Sequence, residues 1–350
     1  MVITIEEILM EAMRAGASDV HLTVGVPPKM RVDGSLTAMS YPSLAASDTL
    51  AMLISVMSEA QREIFEERGD YDMAFAVRDV GRFRVNAYKQ RGSVAMAIRL
   101  VSRDMPSARQ LGMPRSVAEL YQKKQGLILV TGPAGCGKSA TMAVLIDQIN
   151  SHRETHIITL EDPMEYQHQH KMSMVNQREI GLDCPDYVSA LESALREDPD
   201  VIMVGDMRDL ETIGAVITAA ETGHLVLASL HTTGVVNSVE RMVDLFPTYR
   251  QQQIRIRLAN VLEAVVSQQL LPTVEGGRIA AFEVLHGTRT VRSLIREGRM
   301  GQLPAAMQAG RKLGMVTMDE AIGRLLEEGL ISKETAVWYA QQPEFMNGRI

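Results

Sequence analysis

Two periodicities divide this chain. Over residues 1–101 apolar positions recur first at helical and then at alternating spacing. Glu6 to Ala15 places Ile8, Leu9, Ala12 and Met13 on one helical face, with Gly16 where a helix should stop. Asp19–Val24 alternates like a strand and is broken by Pro27-Pro28. Residues 47–67 predict a helix, and Asp72–Val77, Arg82–Tyr88 and Val94–Leu100 predict three strands. This pattern is that of a small α+β module.

Residues 102–114 carry two prolines and little periodicity, and predict a linker. From residue 115 a second domain is expected, running to 350. Its short, wholly apolar runs are Leu127–Val130, His156–Leu160, Val201–Val204 and Leu225–Leu230. Helical stretches separate them. Strands apolar on both faces, alternating with helices, predict an α/β domain with a mostly parallel sheet covered on both sides. Residues 286–350 read as wholly helical.

Composition adds boundaries to this picture. With 350 residues, 46% hydrophobic and 23% charged, two domains can each bury a core. The net charge of −7 and an aromatic content of 4% argue against a protein that coats nucleic acid or stacks single strands. Neither a signal-peptide pattern at the start nor an apolar run of about 20 residues is present. A cytoplasmic chain is therefore expected, touching a membrane only through a partner. Two cysteines, Cys136 and Cys184, are too few for a disulfide framework. Most of the 23 methionines read as core filler.

The chemistry concentrates after the apolar runs. Gly132-Pro133-Ala134-Gly135-Cys136-Gly137-Lys138-Ser139 fits G-x-x-x-x-G-K-[ST], with a buried strand before it and a helix pattern after it, and together with Ala140 these are the expected nucleotide-binding residues. Glycines let backbone N–H groups turn inward around phosphates, and the helix N-terminus adds positive potential. Lys138 is placed for the β- and γ-phosphates of ATP and the Ser139 hydroxyl for Mg²⁺. Cys136 has two readings: a small residue that fits the loop, or a thiol made reactive by nearby N–H groups.

Acids should project from the carboxyl ends of neighbouring strands. Glu161, in Glu161-Asp162-Pro163-Met164-Glu165, is the expected general base, with Asp162 supporting it. Asp206 ends the run Asp200–Gly205, and Arg208 and Asp209 after it are placed for a local ion pair. His224 and His231 bracket the run Leu225–Leu230. His231, at its carboxyl end, is placed to touch a phosphate or an acid. His168 and His170 form an H-x-H pair without a third metal ligand.

Taken together and in this order, these motifs resemble the secretion ATPases, and among them the PilT-type pilus retraction motors. The resemblance spans nearly the whole chain. It includes Ala17–Leu22, Pro27–Gly34 and Gly81–Asn86 in the first domain. In the second it includes the loop 132–139 (Walker A), Leu160–Glu165 (the Asp box), Ala194–Asp209 (Walker B), and Thr218–Val226 with Leu230–Thr233 (the His box). Thr290–Glu297 is similar to a helix motif of retraction motors, agreeing at Arg292, Leu294, Ile295, Arg296 and Glu297. The paired zinc-binding cysteines of many extension and secretion relatives are absent.

The resemblance implies a PAS-like N-terminal domain, a RecA-like P-loop ATPase domain, and a homohexamer acting on a pilus inner-membrane platform protein at the inner face of the plasma membrane. It also implies nucleotide between the domains, with N-terminal arginines reaching the phosphates; Arg82, Arg84 and Arg99 fit that role. One departure matters. Asp206 stands where the family usually has Glu, which draws the carboxylate back by roughly 1.5 Å, about one C–C bond. A displacement of about 1 Å can cost ~100-fold in rate. The sequence therefore leaves open a normal motor, a slow one, a non-hydrolysing accessory subunit, and a pilus-assembly or secretion ATPase.

Overall fold

The computed structural model describes residues 3–32, 34–77, 80–101 and 105–344. The chain forms two compact units, Met1–Asp104 and Met105–Ile350.

In the first unit, α1 (Ile5–Arg14) opens with a capping box. The Thr4 hydroxyl accepts from the Glu7 N–H, and the Thr4 N–H donates to the Glu7 carboxylate. Next come β1 (Asp19–Leu22), β2 (Lys29–Val32), β3 (Ser35–Ala38), α2 (Ala46–Val56), α3 (Glu59–Arg68), β4 (Asp70–Val77), β5 (Gly81–Gln90) and β6 (Ser93–Val101). The strands form one antiparallel sheet in the order β3-β2-β1-β6-β5-β4. Phe83, Val85 and Ala87 of β5 face the core, and Arg82 and Arg84 alternate onto the other face.

The sequence reads residues 47–67 as one helix; the structure has two. Met57 is extended, and the Ser58 hydroxyl caps α3 by accepting from the Gln61 N–H. A serine side chain that satisfies a free helix N–H makes a fresh start cheaper than continuation. The β2–β3 hairpin is absent from the sequence reading, because neither strand alternates in burial.

The second unit holds α4 (Arg115–Ala118), β7 (Gly126–Thr131), α5 (Lys138–His152), β8 (His156–Glu161), β9 (Met174–Glu179), α6 (Tyr187–Ala194), β10 (Val201–Val204), α7 (Leu210–Glu221), β11 (Leu225–Leu230), α8 (Val235–Asp244), α9 (Thr248–Val261), β12 (Leu262–Pro272) and β13 (Arg278–His286). Helices α10 (Arg289–Arg296), α11 (Leu303–Ala309), α12 (Met318–Glu327) and α13 (Lys333–Tyr339) follow. The sheet order is β13-β12-β7-β11-β10-β8-β9, parallel except for β13. Leu127 and Leu129 of β7 join one core, and Ile128 and Val130 the core on the opposite face. The strand is buried throughout because helices cover both sides.

Residues 102–104 of the linker expected from sequence lie outside the described residues. Its remainder belongs to the second unit, where Met113 is buried and Ala108 and Leu111 pack against the core. The last segment is mostly helical, but Val316 pairs with Val284 in a short β-bridge. Among the described residues no helix is long and apolar enough to cross a membrane.

Candidate active site

Parallel strands deliver their following loops to one edge of the sheet. Here β7 brings the loop 132–137, β8 brings Glu161, β10 brings Asp206 and β11 brings His231. The loop glycines at 132, 135 and 137 all have positive φ, which a side chain would strain. At Gly132 a Cβ would also lie 2.2 Å from the Gln268 carbonyl oxygen and 2.7 Å from Cys136 Sγ. The loop thus packs flat against β12, with Pro133, Ala134 and Gly135 exposed on its crest. Helix α5 starts at Lys138, and Ser139 and Ala140 sit half-buried in its first turn.

Lys138 is buried, and its Nζ donates to the carbonyls of Gly132 at 2.8 Å and Pro133 at 3.0 Å. It also lies 3.3 Å from His231 Nδ1. An ammonium only donates, so Nδ1 accepts and the ring proton sits on Nε2. That Nε2 is 3.1 Å from Asp206 Oδ2, which Arg208 Nε reaches from the other side at 2.6 Å. Lys138, His231, Asp206 and Arg208 therefore form one continuous polar chain across three strand ends.

Glu161 is 7% exposed, and its Oε1 accepts from the Thr159 hydroxyl at 2.6 Å and from Gln177 Nε2 at 3.0 Å. Burial pushes its carboxyl above the ordinary range, outweighing these hydrogen bonds. Glu161 lines a cleft with Ser139, Asp162, Glu165, Tyr166 and Gly205. A helix-start serine, directly after the loop 132–138, and a buried carboxylate thus open on one space.

The Type II/IV secretion system protein family model matches residues 1–283. The type IV pilus retraction ATPase PilT of Pseudomonas aeruginosa is 43% identical over 340 residues, spanning 97% of this chain and 99% of that one. The type IV pilus ATPase PilU of the same organism is 39% identical, spanning 96% and 88%. A crystal structure of the pilus retraction motor PilT with bound ADP matches at a TM-score of 0.92 and 48% identity, covering 98% of each chain. The chain is a PilT/PilU-type pilus retraction ATPase.

In this retraction ATPase the residues at the loop fit ATP and Mg²⁺. The cradle at Gly132 and Gly137 has room only for hydrogen, and the buried ammonium of Lys138 stands at its mouth. Cys136 is 2% exposed and burial pushes its thiol up, which favours the small-residue reading over a reactive thiol.

The other residues singled out from the sequence fall in four places. His224 lies at the far end of β11, paired beside Gly126, where its Nδ1 meets Ala219 O and the Thr222 hydroxyl. Within one chain it closes the end of α7 and does not join the phosphate edge. Arg84 and Arg99 face each other across β5 and β6 in the first unit, and Arg99 pairs with Asp19 at 3.0 Å. Arg82 shares their face of the sheet by the alternation of β5. The ion pair expected between Arg208 and Asp209 does not form: Arg208 holds Asp206, and Asp209 instead caps α7 by accepting from the Thr212 N–H. A free helix N–H three residues on is the nearer partner for that carboxylate. His170 Nδ1 accepts from the Val175 N–H, and burial lowers His168 to about 4, keeping it neutral.

Several residues of the site carried no sequence signal. Gln268 of β12 donates to Cys136 O at 2.7 Å and accepts from the Thr141 hydroxyl at 2.7 Å, clamping the loop to the first turns of α5. Thr159 and Gln177 orient Glu161, and Ser229 donates to Gly205 O at 2.6 Å. Gln268→Ala should weaken nucleotide binding about tenfold, the worth of an ordered loop held by two buried hydrogen bonds. Titration with a fluorescent ATP analogue measures it.

Proposed function

We propose that this retraction ATPase is a homohexameric, ATP-hydrolysing motor that powers pilus retraction and twitching motility. One observation carries the reading: the Lys138–His231–Asp206–Arg208 chain and the buried Glu161 meet at the strand ends beside the phosphate loop. When bound, Mg²⁺–ATP supplies a γ-phosphoryl group whose charge the ion helps to neutralise. Backbone N–H groups of 134–138 and Lys138 Nζ would hold the phosphates, and the Ser139 hydroxyl would ligate the metal. Glu161, basic when ionised, orients water and takes its proton. His231 reports the phosphate end to Asp206 through its Nδ1 and Nε2.

We further assign a PAS-like fold to the first unit, supported by its antiparallel sheet and flanking helices, and a RecA-like core to the second, supported by its parallel sheet and strand-end loop. Arg82, Arg84 and Arg99 act as arginine fingers in this reading, supported by their shared sheet face. The ring works at the inner face of the plasma membrane on a membrane-embedded platform partner.

A second reading is a slowly hydrolysing accessory ring. It draws on the short Asp206 carboxylate, whose Oδ2 is already taken by Arg208 and His231. Phosphate release by wild type and Asp206→Glu separates the two. The motor reading expects wild-type turnover on the enzyme scale, about 1 s⁻¹ or faster. It also expects less than about a tenfold gain in Asp206→Glu, because the polar chain already positions the acid. Tight ATP retention without phosphate release, recovered ~100-fold by Asp206→Glu, would replace it with the accessory reading.

A further inference from the structure

Thr131 at the end of β7, Ser267 in β12 and Glu283 in β13 form a buried polar row across the sheet. Thr131 pairs with Ser267 and Ser267 with Glu283, so the three side chains share one face. Polar groups buried in this way need partners. Theirs come from the segment that follows His231. Ser267 Oγ accepts from the Gly234 N–H at 2.9 Å, and Glu283 Oε2 accepts from the Val235 N–H at 2.8 Å. The Ser238 hydroxyl lies 3.0 Å from that of Thr131, 2.7 Å from that of Thr232 and 2.6 Å from the Gly234 carbonyl oxygen.

Val235 is the first residue of α8, and Gly234 before it brings no side chain to cap the helix. Glu283 supplies the missing acceptor from another strand, and its negative charge suits a helix N-terminus. The same carboxylate accepts from the N–H of Met318, the first residue of α12, and lies 3.4 Å from Gln341 Nε2. One acid therefore joins the starts of two helices. His231 lies four residues before Val235, and its ring meets Lys138 at 3.3 Å and Asp206 at 3.1 Å. A shift of about 0.5 Å away from either partner takes that contact beyond hydrogen-bonding range.

We propose that Glu283 is a positioning residue for His231: with Ser267 it holds the first turn of α8 and so fixes the loop 231–234, and it ties that loop to α12 in the helical C-terminal part. The phosphate loop is clamped separately, by Gln268. This deepens the motor reading and rests on it only for its catalytic consequence.

The test uses two variants and two readouts. Glu283→Gln keeps the size of the side chain and removes the charge that two helix N–H groups face. It should lower kcat about tenfold, the effect of a misplacement below about 1 Å, and leave KM for ATP unchanged. Ser267→Ala removes only the bond to Gly234 and should lower kcat about fivefold. In a His231→Ala background neither substitution should lower kcat further. In nucleotide-free protein, amide hydrogen exchange should quicken about tenfold at 231–236 and 317–320 in Glu283→Gln, and at 231–236 alone in Ser267→Ala. Residues 132–138 should exchange as in wild type in both. An unchanged kcat in Glu283→Gln, a further loss in the His231→Ala background, or faster exchange throughout the second unit in both variants would overturn the positioning role. A wild type that does not hydrolyse ATP, yet shows the local exchange pattern, would remove the motor reading and leave the anchor standing.

Discussion

Lys138→Ala should abolish ATP hydrolysis, lowering turnover by about 100-fold or more, as removal of one preorganised cationic donor does elsewhere. Lys138 is 7% exposed at a sheet edge, where an ammonium is justified only by partners. In the chain alone those partners are the Gly132 and Pro133 carbonyls and His231 Nδ1. All three are neutral acceptors, weaker than a phosphate oxygen for the same ammonium. The charge is thus held ready for an anion at low reorganisation cost. Alanine also frees His231 from the contact that sets its tautomer, so the link from the loop to Asp206 is lost in the same step. Nucleotide titration and phosphate release on the purified variant check both consequences. Binding and turnover near wild type would remove the loop from the mechanism.

Glu161→Gln should cost between about 100- and 10,000-fold in kcat, the range for losing a general base. The replacement keeps the Thr159 and Gln177 hydrogen bonds, since both land on Oε1. The loss therefore reports mainly basicity, since only the backbone hydrogen bond from Glu165 is also at stake. Because burial raises the Glu161 pKa, wild-type kcat should fall as pH drops through that raised value, and the Gln variant should lose this limb. Stability moves in the opposite sense. A carboxyl whose folded pKa lies above its unfolded value favours the fold fully below the unfolded value. That contribution is lost as pH rises through the folded one. Glu161→Gln should therefore melt higher than wild type at neutral pH, by about 2 °C or more, with the difference vanishing below about pH 4. Calorimetry across that window measures it. A variant that melts lower at every pH would show that Glu161 is structural.

What could be read in the sequence shares one character: it is local. The loop 132–139 is legible because each glycine answers to a backbone angle and the serine and lysine follow at once. Glu161, Asp206 and His231 are legible because an apolar run predicts a strand, and a polar residue at its end must emerge at the edge. The fold of the second unit followed from the same runs, with β12 the main omission. Leu262–Leu271 contains Glu263, Ser267, Gln268 and Gln269, a composition that fits a helix as readily as a strand. It is a strand because it lies between β7 and β13. β9 was missed because an edge strand needs few apolar residues.

The amino-acid order alone thus determined a phosphate-binding loop, the acids and the histidine that accompany it, and the family likeness that joins them. Only the tertiary structure decided how these groups are held. Gln268 reaches the loop from 132 residues away, Gln177 reaches Glu161 from a strand with no motif, and Arg208 turns to Asp206 and not to its neighbour. It likewise turned His224 onto Ala219 O and the Thr222 hydroxyl and brought the Tyr187 hydroxyl to Gly205. The reason is physical. A backbone angle or a strand's period is fixed by adjacent residues, whereas a buried polar atom takes whichever partner packing brings within about 3 Å.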